Sequence, residues 1–139
     1  MNKVQHVGIA VRDLDAALDF YGGLLSIEIE GRLEWPALGL RAATLTIGET
    51  KLELIQPVEP RGDLARGLAD LAAEKDGAVH HLAFEVDDLD AAVERLKRGG
   101  VRMMTAAIQE GAGGRLIWLH PDETPGVMIE LVEKGYRIT

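Results

Sequence analysis

The chain carries an approximate copy of itself, and this repeat limits the available folds more than any other feature. His6-Val7-Gly8-Ile9-Ala10-Val11 aligns with His81-Leu82-Ala83-Phe84-Glu85-Val86 at an offset of 75 residues. Asp13-Leu14-Asp15-Ala16-Ala17-Leu18 aligns with Asp88-Leu89-Asp90-Ala91-Ala92-Val93 at the same offset of 75. Leu52-Glu53-Leu54-Ile55 returns as Ile129-Glu130-Leu131-Val132, now at 77, so a loop before the last strand absorbs two residues. A strand and a helix that agree at one offset mark a duplicated module.

Each copy reads the same way. Val7, Ile9 and Val11 alternate with His6, Gly8 and Ala10, the period of a strand with two unlike faces. Leu14, Ala17, Leu18 and Tyr21 then fall at helical spacing, with Asp13 or Asp15 placed to cap. Gly22-Gly23 and Gly99-Gly100 mark the expected helix ends. Strand-like pieces follow at 26–30, 41–47 and 51–56, and in the second copy at 101–105, 115–120 and 127–133. Each half is thus β-α-β-β-β. The expected architecture is α+β: two pseudo-symmetric βαβββ modules forming a curved mixed sheet around a metal-binding cup. A single domain over 1–139 would hold module one at 1–56, a linker with a helix at 57–77, and module two at 78–139. The helices should cover Val7/Ile9 and Leu82/Phe84, leaving His6 and His81 facing inward.

Two glutamates join them. Glu53 sits between Leu52 and Leu54, and Glu130 between Ile129 and Leu131, so period 2 turns both away from the apolar face. His6, Glu53, His81 and Glu130 form a 2-His-2-carboxylate set, suited to Co, Ni, Mn, Fe or Zn as divalent ions. Four protein donors leave room for water or substrate, an open arrangement rather than a closed structural one. His80 points by alternation to the helix side, and His120, before Pro121, reads as a turn residue. Gly111-Ala112-Gly113-Gly114 is either a flexible connection or a place where backbone N–H groups approach an anion. Trp35 and Trp118 read as packing residues.

Composition removes other classes. The chain has 139 residues, 47% apolar and 27% charged, which excludes intrinsic disorder. No apolar run approaches the roughly 20 residues of a membrane span. No export signal is visible at the N-terminus, so a cytoplasmic location is expected. The absence of cysteine removes disulfides, thiolate nucleophiles and sulfur-ligated metals. A net charge of −8 argues against a nucleic-acid partner. Ser26 is the only serine and has no histidine at motif spacing, which disfavours a Ser-His-Asp hydrolase.

The strand bearing His6, DLDAALDFY (13–21), LELI (52–55), GAVHHLAFEVDDLDAAVERL (77–96) and GVMIELVE (126–133) together resemble the vicinal oxygen chelate (glyoxalase/bleomycin resistance) superfamily. The resemblance spans essentially the whole chain. Within it, TKLELIQP (50–57), GAVHHLAFEV (77–86), GAGG (111–114) and HPDETPGVMIEL (120–131) look most like the methylmalonyl-CoA epimerases. That resemblance places the metal, cobalt first among the candidates, on His6, Glu53, His81 and Glu130. It implies inversion at C2 of an acyl-CoA substrate through a metal-stabilised enolate, with Glu130 as acid/base, in a homodimer without membrane or nucleic-acid partners. Arg41, Lys51 and Arg115 are the cations nearest the implied mouth for an anionic CoA. Some family members carry a carboxylate, proposed as a base, near residue 42, where this chain has Ala42. Two alternatives share the fold. Glyoxalase I-type lyases act on a glutathione hemithioacetal and close with a D-P-D-G-like turn, where this chain has HPDETPG. Ligand-sequestering proteins bind without chemistry and generally lack the four ligands.

Overall fold

Asp13 and Asp88 start two helices in the same way. Each has extended backbone angles, and each carboxylate accepts a hydrogen bond from the backbone three residues on, Ala16 and Ala91. These are N-caps that satisfy donors the first helical turn leaves without partners. The computed structural model describes residues 1–75 and 77–139. The elements in chain order are β1 (Lys3–Ala10), α1 (Leu14–Leu18) running into a π-helical turn (Asp19–Leu24), β2 (Glu28–Trp35), β3 (Leu40–Ile47) and β4 (Thr50–Pro57). Then come α2 (Asp63–Glu74), β5 (Ala78–Val86), α3 (Leu89–Arg98), β6 (Gln109–Gly111), β7 (Gly114–Trp118), a 3₁₀ turn (Pro121–Glu123) and β8 (Met128–Glu133). Helix α2 lies in the segment 57–77 where one was expected, and Asp76 of that segment is outside the described residues.

The strands are hydrogen-bonded in the order β2-β3-β4-β1-β5-β8-β7-β6, a mixed sheet that with three helices makes the chain α+β. The chain divides into two compact units, one of Val7–His80 and one of Met1–His6 with His81–Thr139.

In the first unit, β2, β3 and β4 are antiparallel, with Thr44 opposite Glu53 and Ala43 opposite Leu54. One face carries Ile9, Val11, Ala43, Leu45 and Leu54 beneath Leu14 and Leu18 of α1. The other carries Ala10, Leu40, Ala42 and Ile55 beneath Ala65, Leu68 and Ala72 of α2. Small residues on both sides let α2 lie close. Alternation alone left the face of His6, Ala10 and Glu53 open, but α2 covers it at the Ala10–Ala42–Ile55 end. An antiparallel sheet covered on both faces has no solvated side there.

In the second unit, β5 runs parallel to β8, β8 antiparallel to β7, and β7 antiparallel to β6. Val86, Ile117 and Leu131 pack beneath Leu89, Ala92 and Val93 of α3, with Phe84 at the edge. Ile117 and Leu131 are fully buried, each stabilising the fold by about 1.5–3 kcal/mol relative to exposure. Helix α3 ends at Gly99, followed by Gly100 at φ 86°, the left-handed residue expected there.

The first helix ends differently. Gly22-Gly23 lie inside the π-helical turn, and the chain leaves it only at Leu25 and Ser26, the latter with φ 57°. A Cβ on Gly22 would come within 2.6 Å of the Ile29 side chain, so this glycine serves packing rather than termination. The strand expected at 101–105 is reduced to a bridge between Met103 and Leu119. Val101, Met103 and Ile108 spend their apolar side chains on the α3 core instead. Among the described residues, no helix is long and apolar enough to cross a membrane.

Candidate metal centre

Alternation along β1 and β5 turns His6 and His81 to the same side, and the parallel pairing of β5 with β8 sets Glu130 opposite Ala83, two residues beyond His81. All three belong to the compact unit of Met1–His6 and His81–Thr139. They are almost completely shielded, with 1%, 3% and 3% of their surfaces exposed. His6 Nε2 stands 3.1 Å from His81 Nε2 and 3.1 Å from Glu130 Oε2, while His81 Nε2 stands 3.8 Å from that same oxygen.

The donor set fits a divalent metal. Three atoms spaced 3.1, 3.1 and 3.8 Å apart share a point about 2 Å from each, and zinc-like ions bind imidazole at about 2.0–2.1 Å. A buried carboxylate beside two ring nitrogens is costly unless a positive charge or donated hydrogens compensate it. Two neutral imidazoles and one carboxylate are also ligands of intermediate hardness, suited to first-row metals and zinc rather than calcium. The three groups form one cluster of metal-capable side chains among the described residues.

Of the four ligands expected from sequence, His6, His81 and Glu130 are brought together. Glu53 is buried on β4 in the other compact unit, facing Thr44 across the β3–β4 pair. Ala42 is fully buried in the apolar cluster under α2, so this strand position supplies no acid/base group.

Three neighbours pack around the cluster, of which Tyr136 and Gln5 escaped sequence reasoning. Trp118, opposite Glu130 on β7, sets its ring edge-on to His81 with centroids 5.0 Å apart. Tyr136 stacks near His6 at 6.2 Å. Gln5, buried beside His6, accepts from its Nδ1 at 2.5 Å. Gln5 precedes His6 on the strand and so alternates to the opposite face, where no periodic signal marks it.

The remaining candidates have structural roles. His120 Nδ1 accepts from Asp122 N and so caps the 3₁₀ turn. Gly113 is packed against the C-terminal backbone: a Cβ there would lie 1.9 Å from the Arg137 carbonyl oxygen, and Arg137 N donates to Gly113 O at 2.8 Å. The glycine loop is where the C-terminal backbone docks. Lys51 pairs with Glu30 at 2.6 Å. Arg115 is gripped by Asp90, Glu110 and Glu133, and these hydrogen bonds, Asp90's foremost, hold its charge more firmly than in a free side chain. A second carboxylate group, Asp88, Asp90 and Glu133, is accounted for by the α3 cap and by Arg115.

Residues 5–118 match the Glyoxalase/Bleomycin resistance protein/Dioxygenase superfamily. The mitochondrial methylmalonyl-CoA epimerase of Homo sapiens is 34% identical over 132 residues, 94% of this chain and 73% of that protein. An ethylmalonyl-CoA/methylmalonyl-CoA epimerase of Cereibacter sphaeroides is 34% identical, covering 94% of this chain and 97% of its own length. Among solved structures, a Streptomyces coelicolor methylmalonyl-CoA epimerase variant in complex with 2-nitronate-propionyl-CoA superposes with a TM-score of 0.80 at 31% identity, over 96% of this chain and 97% of that one.

Proposed function

Because the chain belongs to the Glyoxalase/Bleomycin resistance protein/Dioxygenase superfamily, we propose that it is a metal-dependent methylmalonyl-CoA epimerase, with His6, His81 and Glu130 holding the ion. The observation that carries this reading is the buried triangle of two imidazoles and one carboxylate in a chain whose relatives bear that name. Glu53 is assigned the fourth ligand position by the repeat, which pairs it with Glu130. Cobalt is the first candidate ion, with nickel, manganese, iron and zinc as the others. A cytoplasmic homodimer completes the reading.

Inversion needs a base on one face of C2 and an acid on the other; Glu130 serves one face, and Ala42 supplies no group for the opposite one. C2 of methylmalonyl-CoA lies between a thioester carbonyl and a carboxylate, and its proton leaves only if the charge left behind is stabilised. A bound divalent cation supplies that stabilisation as a Lewis acid, an effect of several kcal/mol. His6 and His81, both shielded from water, keep the site at low dielectric, where electrostatic interactions are stronger than in bulk water. Glu130 offers two carboxylate oxygens, so one can serve as a ligand while the other takes or returns a proton.

The test is deuterium uptake from D₂O at C2 of (2S)- and (2R)-methylmalonyl-CoA by metal-loaded protein, run beside a glutathione hemithioacetal. Uptake from both epimers is expected. Turnover of the hemithioacetal without uptake would make the chain a lyase, and neither activity with tight binding of another ligand would make it a sequestering protein.

A further inference from the structure

We propose that Gln5 is a positioning residue that selects the ring tautomer of His6, fixing a proton on Nδ1 and leaving Nε2 bare toward Glu130 and His81. The proposal rests on the metal-centre reading above for its purpose, but on hydrogen-bond geometry for its substance.

For a neutral ring the geometry leaves one consistent arrangement. An amide oxygen only accepts hydrogen bonds and an amide nitrogen only donates them. Gln5 Nε2 donates to the Tyr136 carbonyl at 3.4 Å, which turns Gln5 Oε1 toward His6. That oxygen lies 2.5 Å from His6 Nδ1, so the ring nitrogen must carry the hydrogen between them. With Nδ1 protonated, a neutral His6 has an unprotonated Nε2, the atom 3.1 Å from both His81 Nε2 and Glu130 Oε2.

The choice is a real one. Glu130 at 3.1 Å would readily accept from an Nε2–H, so the ring has an attractive alternative tautomer in which it could not bind a metal through Nε2. That alternative sets the Nδ1 lone pair against Gln5 Oε1, and reversing the Gln5 amide sets oxygen against the Tyr136 carbonyl. The anchor is itself held. Tyr136 N donates to Glu133 O at 3.0 Å, and Arg137 N donates to Gly113 O at 2.8 Å. Gly113 is the one position in that loop where the Arg137 backbone comes within 1.9 Å of a would-be Cβ. A path of hydrogen bonds thus runs from the glycine loop through the C-terminal backbone to Gln5 and the first histidine. Partners of this kind orient metal-binding imidazoles, and losing one typically costs about 10–100-fold in metal affinity.

The decisive measurement is long-range ¹H–¹⁵N correlation NMR on metal-free protein labelled at the histidine rings. In the wild type, His6 should show a protonated Nδ1 and a bare Nε2, and a protonated Nε2 would overturn the proposal without any variant. Gln5→Leu should shift the tautomer and weaken Co²⁺ or Zn²⁺ binding, read by chelator competition, by about 10–100-fold. Gln5→Glu keeps an acceptor for Nδ1–H and should retain the wild-type tautomer. A Gln5→Leu protein that keeps both tautomer and affinity also overturns the role. A wild type that binds no divalent ion would remove the metal-centre reading, while the tautomer spectra would still decide what Gln5 does.

Discussion

The two copies close the same corner of their structure with the same bonds but different electrical company. In the first, Gln56 Oε1 accepts from Leu14 N at 2.9 Å; in the second, Glu133 Oε2 accepts from Leu89 N at 2.9 Å. Both acceptors sit three residues beyond the glutamates of the repeat, on the last strand of their copy. Both complement an N-cap aspartate on the same helix. The first copy does this with a neutral amide. The second does it with a carboxylate that also accepts from Arg115 at 3.0 Å, and Arg115 in turn reaches Asp90 and Glu110. The backbone requirement is common, since a helix starting at a strand's end always presents unpartnered N–H groups. Which acceptor meets it is free, and the second copy uses that freedom to tie α3 to β6, β7 and β8 through one guanidinium.

The sharpest way to break the equivalence is at the glutamates. Glu130→Gln keeps an oxygen ligand but cannot move a proton, so C2 deuterium uptake should fall by about 10²–10⁴-fold. Glu53→Ala and His81→Ala should each strip the ion during dialysis, checked by metal analysis. Full metal content in Glu53→Ala would show that the two copies' glutamates have parted in function.

Next in size is the core. Leu54 and Leu131 are equivalent in the repeat and both fully buried, under α1 and α3 respectively. Truncating either to alanine should cost about 2–5 kcal/mol in urea unfolding. A gap between the two values would measure how well each copy collapses around the hole.

The caps come third. Asp13→Ala and Asp88→Ala should each cost about 1 kcal/mol. Gln56→Ala should cost about as much, whereas Glu133→Ala should cost more, because it also leaves Arg115 short of a charged partner. Added salt should narrow that difference and leave Gln56→Ala unchanged.

The smallest effect concerns Asp15, which the Arg32 guanidinium holds below the usual carboxylate value of 3.8. A carboxylate with a lowered folded pKa contributes stability that is present above its unfolded value and lost as pH falls through the folded one. That contribution therefore disappears only in acid, below about pH 3.8. In Arg32→Met, NMR titration should find Asp15 returned toward 3.8. An unchanged titration would mean the exposed pair does nothing.

Much of this was legible before any coordinates. The repeat predicted β-α-β-β-β twice, a cap at Asp13 or Asp15, the stop at Gly99-Gly100, and a common face for His6, His81 and Glu130. All of these follow from local chemistry: a period of two, a short acceptor before a helix, a residue tolerant of positive φ. Where local signals competed, the reading slipped. Gly22-Gly23 looked like a terminator but accommodates Ile29 inside a π-helical turn. Residues 101–105 have strand composition, yet their apolar side chains gain more from the α3 core than from a ladder.

The sequence by itself determined the periodicities, the caps and the identity of the metal-capable side chains, because these depend on neighbours a few residues away. Tertiary structure alone decided that the six N-terminal residues join the compact unit of the second copy. It alone placed α2 over the Ala42 face, set Gly113 against the C-terminal backbone, and brought the Tyr136 carbonyl to the Gln5 amide that meets His6. Each of these joins parts of the chain that are distant in sequence, or overrides an alternation that adjacent residues obey. No spacing records such contacts, because their free energy exists only once the partners have been brought within a few ångströms.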